Sequence, residues 1–568
     1  MNLETLNNVT MAKKRFRAAV VQTFAELGDL QHNIKLLETN TLEAVRQGAE
    51  LIVFPECMNT GYLFNSPQHC LELAESLDGE FVSAIAYLCR KYGVYIASGF
   101  TEKSDTDFKV YNSAILLDRS GELILHYQKQ FLATHDQNWF ECGTKGCPVV
   151  NTDLGRIGAM ICFDGRIPEI VRCLKLNGAD VILDMANFFT MDQAELWVPA
   201  RALENQVWIA AATKSGVERS IYYPGGSMIV SPTGHVVTKI PYNTHSVTTA
   251  DIVVSEASKD EMMSDRRPDT YQILTKDFAD TPLAPLLATP LVPEQSTVKV
   301  AAIQVHQTLE AGSLDTAFEL ICHAANLGIQ LIALPLHFGI STWAPTLNEA
   351  VAAASQSASH IEKAQHIAKQ YECLIVLPII EQVSGILSSS AVLIGLDGAI
   401  IGRYQQVHLD SSTKAWSKPG DEFPVFETPL GRIGIILGYD GLFPESTRVL
   451  AFYGADIIVW CSAWNHAFER SLLTVPKAED NRAYLVCANR TDCPYPGGSF
   501  VVPPYGFPSW DLNILVPPVT RHGAIMSMFA NLAISRQKRM IPKVDMMRNR
   551  LVQNYEPLSR IPNKNCRN

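Results

Sequence analysis

LGRIGAMICFDGRIPE, residues 154–169, returns almost unchanged as LGRIGIILGYDGLFPE at residues 430–445. A match of this length within one chain points to a repeat architecture, and six further pairs occur in the same order around it. FRAAVVQT at 16–23 pairs with VKVAAIQV at 298–305, AELIVFPECMNTG at 49–61 with IQLIALPLHFGIS at 329–341, and LILHYQKQFL at 123–132 with AIIGRYQQVHL at 399–409. Beyond the opening pair come NGADVILDMANF with YGADIIVWCSAW, PGGSMIVSPTG with PGGSFVVPPYG, and DRRPDTY with NRLVQNY. Chance does not give so many matches in register. The chain is a tandem duplication, with a first copy expected over 14–275 and a second over 298–560. Between them, 276–297 carries Pro282, Pro285, Pro290 and Pro293 and reads as an extended, proline-rich linker.

Within each copy, short Val/Ile/Leu runs alternate with longer stretches of helical period, such as HNIKLLETNTLEAVRQGAE before LIVFPE. ADVILDMAN and VWIAAATKSG are apolar enough to be buried on both faces, as sheet strands under helices are. SMIVSPTGHVVTKI, with its Pro-Thr-Gly turn, reads as an antiparallel hairpin. The fold class is α/β with mixed sheets.

Bulk composition narrows the function. With 568 residues, 47% of them hydrophobic and a formal charge of −11, the chain is long enough for two cores and has no basic footprint for nucleic acid. No run of about 18 uncharged apolar residues suggests a membrane span, and the first residues lack the apolar centre of a signal peptide. A cytoplasmic protein acting on small molecules is expected. The 13 cysteines form no C-x-x-C pair and read as reduced thiols. The tail from Ala533 to Asn568 is locally basic and reads as a solvated or interface segment.

Three reactive side chains of the first copy stand where an apolar strand run stops: Glu56 after LIVFP, Lys129 after LILHYQ and Cys162 after RIGAMI. Strand ends are where α/β proteins build sites. A thiol near pKa 8.5 passing its proton to a carboxylate near 4.3 costs roughly 5–6 kcal/mol, so the site must close that gap. Burial is expected to raise Glu56. The Lys129 ammonium, and a helix beginning just after Cys162, are expected to lower the thiol. Glu56 then serves as general base and Cys162 as nucleophile, with Lys129 and the backbone N–H of Phe163 holding the oxyanion.

The ordered set FPE (54–56), YQK (127–129) and CFDGRIPE (162–169) resembles the nitrilase superfamily of carbon-nitrogen hydrolases. That resemblance covers both copies. It implies an αββα sandwich for each and a Cys thioester mechanism with no metal or organic cofactor. Related hydrolases often carry a second Glu after the Lys. In FLATHDQNWFECG, Asp136 falls nearest that place, as a fourth catalytic or positioning residue or else as a solvated loop acid. Asn187, Trp139 and Trp197 are expected in the acyl pocket, and Arg166 and Glu169 as structural supports of the turn. Since such sandwiches commonly pair, the two copies are expected to form a pseudo-dimer within one chain, with further homo-oligomers open.

In the second copy Glu56 is matched by Leu336, Lys129 by Gln406 and Cys162 by Gly438, while Asp440, Pro444 and Glu445 are kept. The fold is retained and the catalytic groups are not. The residues therefore suggest an amidase-type hydrolase of a small amide. A nitrilase or an N-carbamoyl hydrolase, which would use the same triad, is the alternative, and a non-catalytic binding protein is the rival from another class. Metal-dependent hydrolysis lacks the H-x-H or H-E-x-x-H ligands it would need.

Overall fold

The computed structural model describes residues 13–104, 108–255, 261–289, 296–305, 313–505 and 523–561. Its contacts divide the chain into two units, Met1–Ser264 and Asp265–Asn568.

The first unit holds β1 (Lys13–Gln22), β2 (Leu51–Val53), β3 (Tyr95–Lys103), β4 (Val110–Leu117), β5 (Leu123–Gln128), β6 (Val149–Thr152), β7 (Gly155–Ile161), β8 (Val181–Ala186), β9 (Trp208–Thr213), β10 (Ser215–Glu218), β11 (Ile221–Pro224), β12 (Met228–Val230), β13 (Val236–Lys239) and β14 (Ser246–Ser255). One six-stranded sheet runs β14-β1-β2-β3-β4-β5, a second runs β13-β12-β9-β8-β7-β6, and β10-β11 forms a separate hairpin. The centre of each sheet is parallel and its edges antiparallel. The two sheets pack face to face. Helices Leu30–Arg46 and Glu80–Tyr92 cover the first sheet, and Pro168–Leu176 and Val198–Asn205 the second. This is the expected αββα sandwich.

Local chemistry sets these elements. The Asp29 side chain accepts the His32 N–H and caps Leu30–Arg46. Glu80–Tyr92 stops at Gly93, whose φ of 66° suits a residue without Cβ. In β8, VILDMA is buried along its whole length, as a central parallel strand must be.

The second unit repeats the plan with sheets of six and five strands. They are built from β15 (Thr297–Gln304), β16 (Leu331–Ala333), β17 (Leu374–Val383), β18 (Ile386–Ile394), β19 (Ile400–Gln405), β20 (Val425–Thr428), β21 (Gly431–Leu437), β22 (Ile457–Ser462), β23 (Tyr484–Asn489), β24 (Phe500–Val502) and β25 (Ala524–Asn531).

Three expectations change. The first copy was expected to run to 275, and in the structure Asp265–Thr275 packs with the second unit. There Arg266 Nε donates to Glu445 Oε1 at 2.9 Å, Arg267 Nη1 to the Gly420 carbonyl at 2.8 Å, and Tyr271 hydrogen-bonds His408. The linker is not extended throughout, since Leu283–Ala288 is helical and Leu283 is buried. The basic tail is not simply solvated. Lys538 and Arg550 are buried, with Lys538 Nζ donating to the Asn481 and Arg482 carbonyls at 3.0 Å each, and residues 562–568 lie outside the described part.

Candidate active site

Glu56 follows β2 by three residues, in a loop that crosses β3 closely. A Cβ on Gly99 would stand 2.3 Å from the Glu56 Cα, so β3 carries a glycine where the loop passes. The crossing is fixed by Gly99 N–H on the Pro55 carbonyl at 2.9 Å and Met58 N–H on the Gly99 carbonyl at 3.0 Å. Lys129 is the first residue past β5, its N–H on the Asn112 carbonyl at 2.8 Å. Cys162 is the first residue past β7 and takes a left-handed φ of 50°, which costs roughly 1–2 kcal/mol in a residue with a Cβ. Its N–H donates to Asp184 Oδ1 at 2.9 Å, and its thiol to the Asn187 carbonyl at 3.8 Å.

These strand ends are held together from behind. Asp164 accepts the Tyr127 hydroxyl at 2.7 Å, the Phe131 N–H at 2.9 Å and the Ile161 N–H at 3.1 Å, tying the end of β5 to the Cys162 turn. Arg166 supports the same turn from below. Its guanidinium pairs with Asp192 at 2.8 Å and lies 4.1 Å above the Trp197 ring. Trp197, expected to line the pocket, is buried and carries the Arg166 guanidinium on its ring.

In front, Lys129 Nζ stands between two carboxylates, 2.8 Å from Glu56 Oε1 and 2.8 Å from Asp136 Oδ2, with all three side chains at most 1% exposed. Asp136 is therefore a buried member of the cluster and not a solvated loop acid. It also accepts the Tyr62 hydroxyl at 2.7 Å and the Ala133 N–H at 2.8 Å. Asn112 Nδ2 donates to Glu56 Oε1 at 2.6 Å. Glu56 Oε2 is buried with no hydrogen-bond partner among the described residues.

Burial raises Glu56 above the ordinary carboxylate range, against the opposing pull of the Lys129 ammonium. For Lys129 burial acts downward, but the charges of Asp136 and Glu56 outweigh it and hold the ammonium well above its usual value. The thiol differs from expectation. Burial, then the Glu56 charge, push Cys162 well up, and Lys129 offsets only part of this. Neighbouring charge and the burial of Glu56 were legible in the sequence, whereas the matching loss of hydration at the thiol was not. Burial thus disfavours the thiolate of Cys162 and the charged form of Glu56 alike. Phe163, the expected oxyanion donor, is the second residue of the Cys162–Arg166 turn, where a backbone N–H has no carbonyl within the turn to serve.

Asn187 and Trp139 are both near the cluster. Asn187 Nδ2 reaches the Glu56 carbonyl at 3.4 Å, and the Trp139 ring meets Tyr62 edge-on at 6.4 Å between centres. Three contributors were not singled out from the sequence: Asn112, Asp184 and Tyr62. Asn112 and Asp184 left a signal, since each is a polar residue inside an otherwise apolar strand and needs a partner there. His126 lies on β5 with Nε2 2.7 Å from Glu102 Oε2.

The second unit reproduces the frame with other groups in it. Asp440 accepts the Tyr404 hydroxyl at 2.6 Å, the His408 N–H at 2.8 Å and the Leu437 N–H at 3.0 Å, as Asp164 does in the first. Gly438 has φ 41°, and a Cβ there would meet Leu336 Cδ2 at 2.9 Å and Gln406 Nε2 at 3.6 Å. The three matched positions therefore converge. Gln406 spends its amide on the His408 and Leu437 carbonyls, and Trp460, at the position of Asp184, donates to the Gly438 carbonyl at 3.0 Å.

Comparisons with known proteins agree with this duplication. A family model described as carbon-nitrogen hydrolase matches residues 17–260 and again residues 299–509. The chain is 35% identical over 262 residues to a nitrilase of Pyrococcus abyssi, covering 45% of this chain and 98% of that protein. It is 30% identical over 228 residues to the deaminated glutathione amidase of Mus musculus, covering 37% of this chain and 69% of that one. Among solved structures, an amidase from Nesterenkonia sp. superposes with a TM-score of 0.39 at 24% identity, over 46% of this chain and 99% of that one. Among the described residues no helix is long and apolar enough to cross a membrane.

Proposed function

Because this chain belongs to the carbon-nitrogen hydrolase family, whose model both of its halves match, we propose that the first unit is an amidase-type hydrolase of small molecules working through a thioester on Cys162. The observation that carries this reading is the Lys129 ammonium clamped at 2.8 Å by both Glu56 and Asp136, with Cys162 aimed by its left-handed backbone. An ammonium has three protons to donate. Two are taken by the carboxylates, and the third is available to a substrate oxygen.

Glu56 Oε2, raised in basicity and without a partner, takes the thiol proton as Sγ attacks the carbonyl carbon. The oxyanion is received by Lys129 Nζ and the Phe163 N–H, each donor of this kind being worth about 3–4 kcal/mol. Collapse breaks the C–N bond, and Glu56 returns the proton to the departing amine. Water, deprotonated by Glu56, then adds to the thioester, and the carboxylic acid leaves as Sγ recovers its proton. Every step uses side chains of this unit. A nitrile or an N-carbamoyl compound would engage the same groups, and the names of relatives span nitrilase and amidase. The second unit is read as non-catalytic, because Gly438 offers no nucleophile and Leu336 no base.

Ammonia release from a panel of amides, nitriles and N-carbamoyl compounds tests this reading, with Cys162→Ala beside the wild type. The expected result is release from amides by the wild type and none by the variant. Release that survives Cys162→Ala would assign the chemistry elsewhere. No release from any compound would favour a binding role.

A further inference from the structure

Besides Glu56 Oε2, three buried polar atoms have no partner among the described residues: Asn187 Oδ1, on the residue whose carbonyl meets the thiol, and the Tyr223 hydroxyl and Trp139 Nε1 in the cluster that holds Tyr62. Asn187 Oδ1 accepts only, and its amide adjoins the Glu56 loop, which suits it to the substrate's own amide N–H. The other two have no part in the proton transfers. They belong to one aromatic wall. The Trp139 ring lies 6.4 Å from Tyr62, Tyr62 lies 6.0 Å from Phe189, and Phe189 lies 5.3 Å from Tyr223. The wall is anchored at the site through Tyr62, next to Trp139, whose hydroxyl donates to Asp136. Tyr223 closes its other end. Burial, then the charges of Glu218, Glu56 and Cys162, hold the Tyr223 phenol far above its usual range.

Indole N–H can only donate, and a buried phenol hydroxyl with no partner can donate to a substrate oxygen as well. We propose that Tyr223 and Trp139 select an acyl group carrying an uncharged hydrogen-bond acceptor, such as an ether or ketone oxygen, over an apolar acyl group of the same shape. The proposal rests on the amidase reading above. A carboxylate on the acyl group does not fit. The ionisable groups around the wall are Glu56, Asp136 and Glu218 against Lys129 and Lys214, three carboxylates to two ammoniums, with the His135 ring 5.7 Å from Phe189. Lys214 is already committed, with Nζ 2.6 Å from Glu218 Oε2 and 5.1 Å from the centre of the Tyr223 ring. Lys129 is held by its two carboxylates and Lys214 by Glu218, so neither ammonium is left to receive an anion.

Discrimination of this kind is strong where a site is built to hydrogen-bond, because the wrong substrate leaves buried donors unpaired. The test measures kcat/KM for isosteric pairs of primary amides, methoxyacetamide against butyramide and acetoacetamide against isovaleramide, with succinamate as the anionic arm. Wild type should favour the oxygen-bearing member of at least one pair by about tenfold or more and should turn over succinamate more slowly than either. In Tyr223→Phe or Trp139→Phe that ratio should fall at least about fivefold. Inductive activation by the substrate oxygen is common to all variants, so the fall reads the hydrogen bond. Ratios near one in wild type, ratios unmoved by both substitutions, or succinamate as the best substrate would each overturn the proposal. Should a variant be unstable, the wild-type ratios and the succinamate rate decide alone. If no amide in the panel is hydrolysed, the amidase reading fails and this inference fails with it. If butyramide is hydrolysed as well as methoxyacetamide, and isovaleramide as well as acetoacetamide, only the inference fails.

Discussion

Asp136→Asn is the most informative single change in the proposed site. In the wild type Lys129 Nζ has a carboxylate oxygen 2.8 Å away on each side, and neither pair sees solvent. The amide removes one of the two counter-charges. It also brings a donor to a position whose neighbours, the Tyr62 hydroxyl, the Ala133 N–H and the Lys129 ammonium, all donate. Tyr62 can turn its hydroxyl to accept the amide, but the Lys129 ammonium keeps only a neutral oxygen in place of a carboxylate and, on a flexible stem, is the group able to move. A displaced oxyanion donor costs about 3–4 kcal/mol, which predicts a loss of kcat/KM of about 10²–10³-fold. Breaking one side of a buried pair costs about 3 kcal/mol, or a fall in Tm of roughly 6–12 °C for a unit of this size. The pH profile carries a separate sign. The Asp136 charge raises Glu56, so its removal lets Glu56 fall, and the acid limb of kcat/KM should move to lower pH. Asp136→Glu keeps the charge and should keep the limb in place. Steady-state ammonia release across pH 5–9 reads all of this. An Asn variant within threefold of wild type, or an acid limb displaced upward, would refute the clamp as the source of the activity.

Two further outcomes follow from other parts of the fold. Gly99→Ala would push a Cβ to 2.3 Å from the Glu56 Cα and displace the loop, so kcat/KM for the amide substrate should fall at least about 10²-fold while far-ultraviolet circular dichroism stays that of a folded protein; near-normal kinetics would show that the loop has another way to pass. Burial lowers Lys538 from 10.5 to about 7. The unfolded chain then binds the extra proton between about pH 7 and 10.5, so stability should rise through that window by up to about 1.4 kcal/mol per pH unit. Lys538→Met should flatten the slope relative to wild type in urea unfolding followed by tryptophan fluorescence, and parallel slopes would contradict the assignment.

Glu56, Lys129 and Cys162 were legible because an apolar strand run stops beside each, and a stopping strand fixes the position of the next residues to within a turn. The repeat made Leu336, Gln406 and Gly438 legible too, since flanking residues such as Asp440 lock the register, and Asp440 makes the same three hydrogen bonds as Asp164. Segment ownership was not legible. DRRPDTY looks like the end of the first copy because NRLVQNY closes the second, yet similarity between segments says nothing about which core each joins, and Arg266 and Tyr271 pack on Glu445 and His408. Asp136 stayed ambiguous for a different reason. A loop acid has no periodicity to report its burial, and only the surrounding Tyr62, Ala133 and Lys129 donors reveal it. Trp197 shows the converse limit. A large aromatic near a site in sequence has two homes, pocket or support, and the guanidinium of Arg166 above its ring puts it in the support.

The central claim, a thioester on Cys162, is tested most directly by quenching the enzyme in acid during turnover of a primary amide and mapping the adduct by peptide mass spectrometry. The account predicts one acyl group on the peptide containing Cys162, absent from Cys162→Ala and from the peptides of the other cysteines. Ammonia released at the full rate with no acyl group on Cys162 at any quench time would contradict it.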